Sequence, residues 1–320
     1  MKTFPPFATL VPELPAVRAD DPRVGHILGS SCGSGTKPKV AVLGFPFEEG
    51  VRLNGGRVGA ASAPASIRKC FYRLTPDAHA AVSFTELLAA SKDYGDLICP
   101  KEITKAQELL GQAVSAVLSD SGIPVVLGGG HETTFGHFLG FVEAQQPIRI
   151  INFDAHPDVR ERVSGHPHSG SSFRDALEHP SRLCKGYSVI GLQPQSCARN
   201  HLEYLQVRGA EIQWADQVSL RTISALFSGL AEDALVSVDI DGVDQAYAPG
   251  ASSPATGGLP PTVLLQFAYQ AGLCPRVRSL DIVEVNPIYD RDDQTARLAA
   301  LAVWTFLRGV NDRSKQHSAK

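Results

Sequence analysis

Residues 149–156 read RIINFDAH, an apolar run that ends in an acidic residue and a histidine. Continuous runs of Val, Ile, Leu and Phe are typical of strands that are covered on both faces, as in parallel sheets. Other stretches have the same composition, and we predict that they are strands of the same buried sheet: 40–47, 123–130, 187–193, 234–241 and 277–285.

Longer amphipathic segments separate these strands and are predicted to be helices: 61–73, 103–119, 132–145, 198–208, 219–230, 261–272 and 294–309. Alternation of strand and helix predicts the α/β class, here a single three-layer α/β/α domain around a mainly parallel sheet. We place this domain at residues 38–310. An irregular lead-in rich in Pro, Gly and Ser precedes it at residues 1–37, and a polar tail follows at residues 311–320.

The composition is that of an ordinary globular protein, with 43% hydrophobic and 20% charged residues. A net charge of -3 argues against nucleic acid or an acidic membrane surface as a partner. There is no long apolar run and no signal-peptide pattern, so we expect a cytoplasmic protein. The six cysteines are scattered and are expected to be free thiols; a pairing of Cys184 with Cys197 stays open.

Polar side chains stand where four of the predicted strands end. IPVVLGGG runs into His131, IINF into Asp154, LVSV into Asp239 and SLDIV into Glu284. Open α/β sheets bind ligands outside the carboxyl ends of their strands. We therefore expect these side chains to converge on one crevice.

The segment after the 149–156 strand has a spacing that suits metal ligation. Asp154, His156 and Asp158 are two residues apart, so they can share one face of an extended segment. The alternative is a polar turn in which the aspartates only cap the backbone.

Asp239 and Asp241 repeat that spacing after another buried strand. Two buried carboxylates repel each other unless cations neutralise them, and residues 237–244 contain no Arg or Lys. His131 follows three glycines and could be structural if taken alone. Two imidazoles and four carboxylates suit Mn²⁺ better than a thiolate-type zinc site. The predicted metal ligands are His131, Asp154, His156, Asp158, Asp239 and Asp241.

Three stretches resemble the signatures of the ureohydrolase superfamily, which includes arginase, agmatinase and formimidoylglutamase: GGGHETTFG (128–136), NFDAHPDVR (152–160) and SVDIDGVDQAYAPG (237–250). The resemblance covers roughly residues 20 to 308. It implies an arginase-like α/β domain, two Mn²⁺ per subunit, and assembly as trimers or hexamers. It also implies that Asp154 and Asp239 bridge both metals, that His131 and Asp158 complete one site, and that His156 and Asp241 complete the other.

Further stretches are similar to formimidoylglutamase in particular: residues 20–25, 49–57, 168–174 and 284–287. Ser169-Gly170 stands where arginases and agmatinases usually carry His-Gly. There are two departures. Asp244-Gln245 stands where the third signature usually has Asp-Pro, and formimidoylglutamases often carry an apolar residue at the Asp244 position, so this segment is more arginase-like. Ser171-Ser172 replaces a common Thr-Pro.

The resemblance implies hydrolysis of N-formimidoyl-L-glutamate to L-glutamate and formamide, a step of histidine degradation. Asp158 would accept the proton of the attacking water, and Glu284 would pair with the amidine. For the substrate carboxylates, our first candidates are Arg160 and Arg174, followed by Asn54 and Arg57. Each arginine could instead belong to a structural ion pair.

Two alternatives stay open. One is a ureohydrolase that acts on a guanidino compound, of the arginase, agmatinase or guanidinobutyrase type, which the arginase-like Asp244 favours. The other is a family member that binds metal without turnover, which the six intact ligands disfavour. A Rossmann-type cofactor site is not expected, because no G-x-G-x-x-G follows the first strand.

Overall fold

The computed structural model describes residues 4–8, 20–33 and 35–318, with side chains described to residue 313. Within these residues, nine strands form one sheet: β1 (Phe7–Ala8), β2 (Val40–Gly44), β3 (Lys92–Leu97), β4 (Ile123–Leu127), β5 (Ile148–Phe153), β6 (Cys184–Leu192), β7 (Glu211–Trp214), β8 (Ala234–Asp239) and β9 (Val277–Val283). Their order across the sheet is β1-β3-β2-β4-β9-β8-β5-β6-β7. All neighbours pair in parallel except β1, which pairs antiparallel with β3.

The helices are α1 (Val24–Ile27), α2 (Glu49–Leu53), α3 (Ala63–Phe71), α4 (Ala81–Ala89), α5 (Ile103–Ser119), α6 (Glu132–Glu143), α7 (Ser172–Leu177), α8 (Arg199–Val207), α9 (Leu220–Ser228), α10 (Pro261–Leu273) and α11 (Gln294–Ser318). They cover both faces of the sheet. Alternate residues of a strand point to opposite faces, so Val40 and Val42 of β2 enter one core while Ala41 and Leu43 enter the other. The first core contains α3, α4 and α9–α11, and the second contains α5–α8. The three-layer α/β/α prediction is therefore confirmed.

The six predicted strands and seven predicted helices are all present, with ends that shift by a few residues. Three strands were missed, and they lie at the margins of the sheet: β1, β3 and β7. The short helices α1, α2 and α7, together with α4, were missed as well.

Two expectations about the termini need correction. The polar tail at 311–320 was expected to lie outside the last helix, but α11 continues to Ser318. The lead-in at 1–37 is not wholly irregular, because it contains β1 and α1. Residues 9–19 lie outside the described part of the chain.

The six cysteines are free, so Cys184 and Cys197 do not pair. Among the described residues, every helix is too short or too polar to cross a lipid bilayer.

Four adjacent strands in the middle of the sheet, in the order β4-β9-β8-β5, place the functional side chains. These are the strands that run into His131, Glu284, Asp239 and Asp154. The strands are parallel, so their carboxyl ends lie at the same edge of the sheet. The topology thus brings distant segments of the sequence to one place.

Candidate metal centre

The turn after β4 presents His131 at the start of α6. A Cβ on Gly129 would lie 1.8 Å from the carbonyl oxygen of Phe47, so the backbone approach at this turn requires glycine. The buried His131 ring places Nδ1 3.0 Å from Asp158 Oδ2, 3.0 Å from Asp239 Oδ2 and 3.4 Å from Asp154 Oδ2. One imidazole nitrogen therefore faces three carboxylates that come from two other strands.

The segment after β5 is held by its own backbone and by a neighbouring amide. Asp154 is fully buried; its Oδ1 accepts a hydrogen bond from the backbone N–H of His156 at 2.6 Å, and its Oδ2 accepts one from Asn152 Nδ2 at 2.9 Å. Asp158 turns toward the same point with a positive φ of 42°. Asp154, His156 and Asp158 therefore point toward one cluster, as their spacing predicts.

Asp239 and Asp241, at the end of β8, complete the cluster. Asp239 Oδ1 accepts a hydrogen bond from the backbone N–H of Asp241 at 2.8 Å. Asp241 Oδ2 lies 3.0 Å from His156 Nδ1, and Asp154 Oδ1 lies 3.5 Å from the same nitrogen. In the described part of the chain, these carboxylates form ion pairs with His131 and His156 and with no lysine or arginine.

The six side chains form two sets of atoms that could each hold a metal ion, with all atoms of a set within 4.8 Å of one another. One set contains His131, Asp154, Asp158 and Asp239. The other contains Asp154, His156 and Asp241. Asp154 is common to both sets, as expected of a bridging ligand. Asp239 belongs to the first set only.

The electrostatics of the cluster fit bound cations. Burial and the repulsion of Asp241 and Asp154 raise the pKa of Asp239 well above its usual value, and burial and Asp241 raise that of Asp154. The Asp241 carboxylate strongly raises the pKa of His156. Asp241 Oδ1 is buried and has no hydrogen-bond partner. A buried polar atom without a partner is rare in native proteins. Divalent cations would satisfy this atom and remove the carboxylate repulsion.

A buried hydrogen-bond chain fixes the far side of the His131 ring. Its Nε2 lies 3.0 Å from Ser237 Oγ, which donates to Asp281 Oδ1 at 2.6 Å. Asp281 Oδ2 lies 2.8 Å from His137 Nδ1. Metal-binding histidines commonly have such a partner on the second nitrogen. Ser237 has this position here, whereas the neighbouring Glu132 accepts from the backbone N–H of Gly50 at 2.7 Å. Asp281 was missed, although it is a lone acid in an apolar strand.

A cavity opens beside the cluster, and Glu284 is part of its wall. Glu284 is buried, it has a positive φ of 64°, and its Oε1 accepts a hydrogen bond from the backbone N–H of His131 at 2.7 Å. Burial raises the pKa of this carboxyl to about 7. The cavity is lined by Val51, Asn54, Gly56, His156, Asp158, Arg160, Ser169, Asp239, Asp241, Ser252, Ser253 and Glu284. Ser252 and Ser253 were missed, because a serine in a loop gives no signal of its own.

Asn54 and Arg160 both line this cavity and contact each other. Arg160 Nη1 donates to Asn54 Oδ1 at 3.2 Å, and Asn54 Nδ2 donates to Ser169 Oγ at 3.0 Å. Arg160 is exposed at the mouth of the cavity. The two residues form a polar rim that can donate hydrogen bonds to an anionic group.

Arg174 and Arg57, which we expected to contact substrate, lie elsewhere. Arg174 lies in a separate surface cleft, where it pairs with Glu161 at 3.1 Å and stacks 4.5 Å from the centre of the Tyr204 ring. Arg57 donates to the carbonyl oxygen of Ala251 and stacks on Tyr289. Both guanidinium groups are engaged in contacts with the protein, and neither residue lines the cavity beside the cluster.

Comparison with known proteins gives one consistent result. Residues 38–308 match the model of the arginase family. The chain is 33% identical over 270 residues to a formimidoylglutamase of Geobacillus thermodenitrificans, covering 81% of each chain. It is 34% identical over 302 residues to a formimidoylglutamase of Lysinibacillus sphaericus, covering 90% of each.

The fold is similar to solved structures as well. A Trypanosoma cruzi formiminoglutamase solved with Mn²⁺ superposes with a TM-score of 0.81 at 28% identity, over 92% of this chain and 100% of that one. A Bacillus subtilis arginase superposes with a TM-score of 0.70 over 84% of this chain and 98% of that one, and at 23% identity it supports the fold alone. The family match spans most of the chain and contains all six clustered side chains. The chain belongs to the arginase family.

Proposed function

We propose that this protein hydrolyses the amidine C–N bond of N-formimidoyl-L-glutamate to give L-glutamate and formamide. The observation that carries the proposal is the cavity beside the cluster of four carboxylates and two imidazoles, with Glu284 in its wall and Arg160 and Asn54 at its rim. The names of the relatives support the choice of substrate.

The cluster would hold two divalent ions, one on each set of ligand atoms. Oxygen-rich sites with a minority of imidazoles favour Mn²⁺, and a solved relative contains that ion. When bound, the ions would lower the pKa of a water molecule toward neutrality and stabilise the negative charge that develops during hydrolysis. What remains for the protein is to orient the amidine, move protons and bind the carboxylates.

We expect Asp158 to move the proton. Its carboxylate lies beside His131 and also lines the cavity, so it faces both the ligand cluster and the substrate space. A carboxylate in this position can accept the proton of the attacking water and pass it to the leaving amine. The positive backbone φ of Asp158, 42°, directs its side chain toward the cluster and the cavity.

We expect Glu284 to bind the amidine. Its Oε1 is occupied by the backbone of His131, whereas its Oε2 is buried without a hydrogen-bond partner. A cationic amidine offers N–H donors that a carboxylate oxygen accepts in a strong charge-assisted bond. Glu284 would thus fix the reacting carbon next to the cluster.

Arg160 and Asn54 would receive the glutamate end of the substrate. Both line the cavity, and Arg160 projects from the segment that also carries Asp158. A guanidinium binds a carboxylate through paired N–H donors, whereas it repels a cationic end such as the ammonium group of agmatine. This rim therefore favours an acidic substrate.

A substrate panel tests the proposal. Formimidoylglutamate, arginine, agmatine and guanidinobutyrate are compared as substrates of the Mn²⁺-loaded protein, with formamide or urea as the readout. We expect turnover of formimidoylglutamate with kcat/KM at least about a hundredfold above the others. Preference for a guanidino compound would instead establish the alternative that Asp244 favours, and no turnover of any of them would establish a silent metal-binding protein.

Three finer expectations stay predictions: manganese as the native ion, assembly as a trimer or hexamer, and a cytoplasmic location. Metal analysis of the protein purified from its source and light scattering of the intact protein test the first two.

A further inference from the structure

The loop at residues 245–257 leads from the end of β8 toward α10 and carries Ser252 and Ser253 into the wall of the cavity. Its middle is attached to the segment after β9. Ala251 pairs with Val285, and the backbone N–H of Ser252 donates to the carbonyl oxygen of Glu284 at 3.2 Å. These contacts place the two serines beside the group proposed to bind the amidine.

Both ends of this loop are tied to a single side chain, that of Asp244. Its Oδ1 accepts a hydrogen bond from the backbone N–H of Ala246 at 2.8 Å, and its Oδ2 accepts one from Gly257 at 2.7 Å. Its own backbone N–H donates to the carbonyl oxygen of Leu259 at 3.0 Å. Each carboxylate oxygen thus holds a different end of the loop.

The close approach of the two ends depends on local backbone geometry. Gly257 has a positive φ of 72°, and a Cβ on Gly258 would lie 2.5 Å from the backbone nitrogen of Asp244. Asp244 itself does not line the cavity and is not among the clustered ligand atoms. It can therefore influence the reaction through the loop rather than by direct contact with the substrate.

Ser252 is the residue of this loop whose side chain can contact the substrate. The residue is 94% buried, since its relative exposure is 6%, and its hydroxyl lies in the cavity wall close enough to the Glu284 carboxyl to lower the pKa of that group. A serine hydroxyl has one donor and two acceptor sites, so it can donate to Glu284 and still accept a hydrogen bond from the substrate.

We propose that Asp244 is a positioning residue: it binds both ends of the loop at 245–257 and so holds Ser252 in hydrogen-bonding reach of the substrate. This inference rests on the proposed function. It gives a role to the acidic residue that the sequence marks as a departure from the formimidoylglutamase pattern. Hydrogen bonds to a charged acceptor are stronger than neutral ones, so a carboxylate restrains the loop more firmly than an amide would.

The test is steady-state kinetics of Asp244→Ala and of the near-isosteric Asp244→Asn, which keeps the fold even if the alanine variant is unstable. For Asp244→Ala we expect KM for formimidoylglutamate to rise about tenfold, the equivalent of one lost charge-assisted bond. We expect kcat and bound metal to stay within about twofold, and Asp244→Asn to be intermediate, because an amide offers only one acceptor oxygen. Asp216→Ala, a change at an exposed acid outside the loop, should match the wild type.

A double-mutant cycle separates positioning from a general structural role. If Asp244 acts through the serine, Ser252→Ala should raise KM by itself, and adding Asp244→Ala should raise it little further. Additive effects, a wild-type KM in both Asp244 variants, or loss of metal together with kcat would overturn the inference. Failure of the proposed function is distinct, because the wild type would then not hydrolyse formimidoylglutamate at all.

Discussion

Asp158 and Glu284 have backbone φ values of 42° and 64°, in the left-handed region that glycine prefers. Such conformations cost on the order of 1–3 kcal/mol in a non-glycine residue and persist where the surroundings hold them, often at functional sites. Here the surroundings are the segments that follow β5 and β9, the strands on either side of β8, and both side chains line the cavity. The strain is consistent with the roles proposed for the two carboxyl groups.

At the same scale, Arg160 and Arg174 form a matched pair of tests. Arg160→Ala should raise KM for formimidoylglutamate by about one to two orders of magnitude, because a charge-assisted contact to a substrate carboxylate is lost. Arg174→Ala should leave KM within about twofold, since that guanidinium lies in a separate cleft against Glu161 and Tyr204. Equal effects of the two changes on KM would contradict the placement of the substrate.

The sequence was sufficient to predict that the six side chains cluster, because their spacing after apolar strands is itself the signal. It was not sufficient to predict which arginines line the cavity. Arg160 and Arg174 are both close in sequence to the cluster, but only the course of the segment 158–171 and the orientation of α7 decide which one faces the cavity. Nor does the sequence pair Asp281 with Ser237, since those residues meet only across two neighbouring strands.

At the scale of elements, β3 shows why a strand can escape prediction. Its sequence KDYGDL is polar because Asp93 and Asp96 face the fully buried Arg68 of α3, whose Nε lies 2.7 Å from Asp93 and whose Nη1 lies 2.9 Å from Asp96. Gly44 of β2 leaves the space for this group, since a Cβ there would lie 1.9 Å from Asp96 Oδ1. A buried ion cluster replaces the apolar pattern by which strands are predicted.

Arg68→Ala should lower the free energy of unfolding by about 3–5 kcal/mol, because it leaves two carboxylates largely buried without their cation. Urea unfolding of the metal-loaded protein measures the change. The control is Arg199→Ala, which removes an ion pair with Glu203 from an arginine that is 92% exposed and should have little effect on stability. A comparable loss of unfolding free energy in both variants would contradict the expectation that the buried ion cluster stabilises the fold more than an exposed ion pair.

At the scale of the whole molecule, the order of the strands is the feature that the sequence does not reveal. Alternation of strands and helices predicts a parallel sheet, but it does not say that β9 lies between β4 and β8. That order makes the four strands that end in functional residues adjacent. The same sheet also separates the two cores, so the cluster rests on buried apolar packing from both sides.

The central claim is that six side chains hold a pair of divalent ions on which amidine hydrolysis depends. Its most direct test is to measure bound metal and formamide release for the wild type and for Asp154→Ala, the residue common to both ligand sets, with Asp216→Ala as control. We expect about two Mn²⁺ per chain in the wild type and the control, and in Asp154→Ala a loss of metal with turnover reduced by roughly a hundredfold or more. A wild type that turns over substrate without bound metal, or an Asp154→Ala variant with unchanged turnover, would contradict the claim.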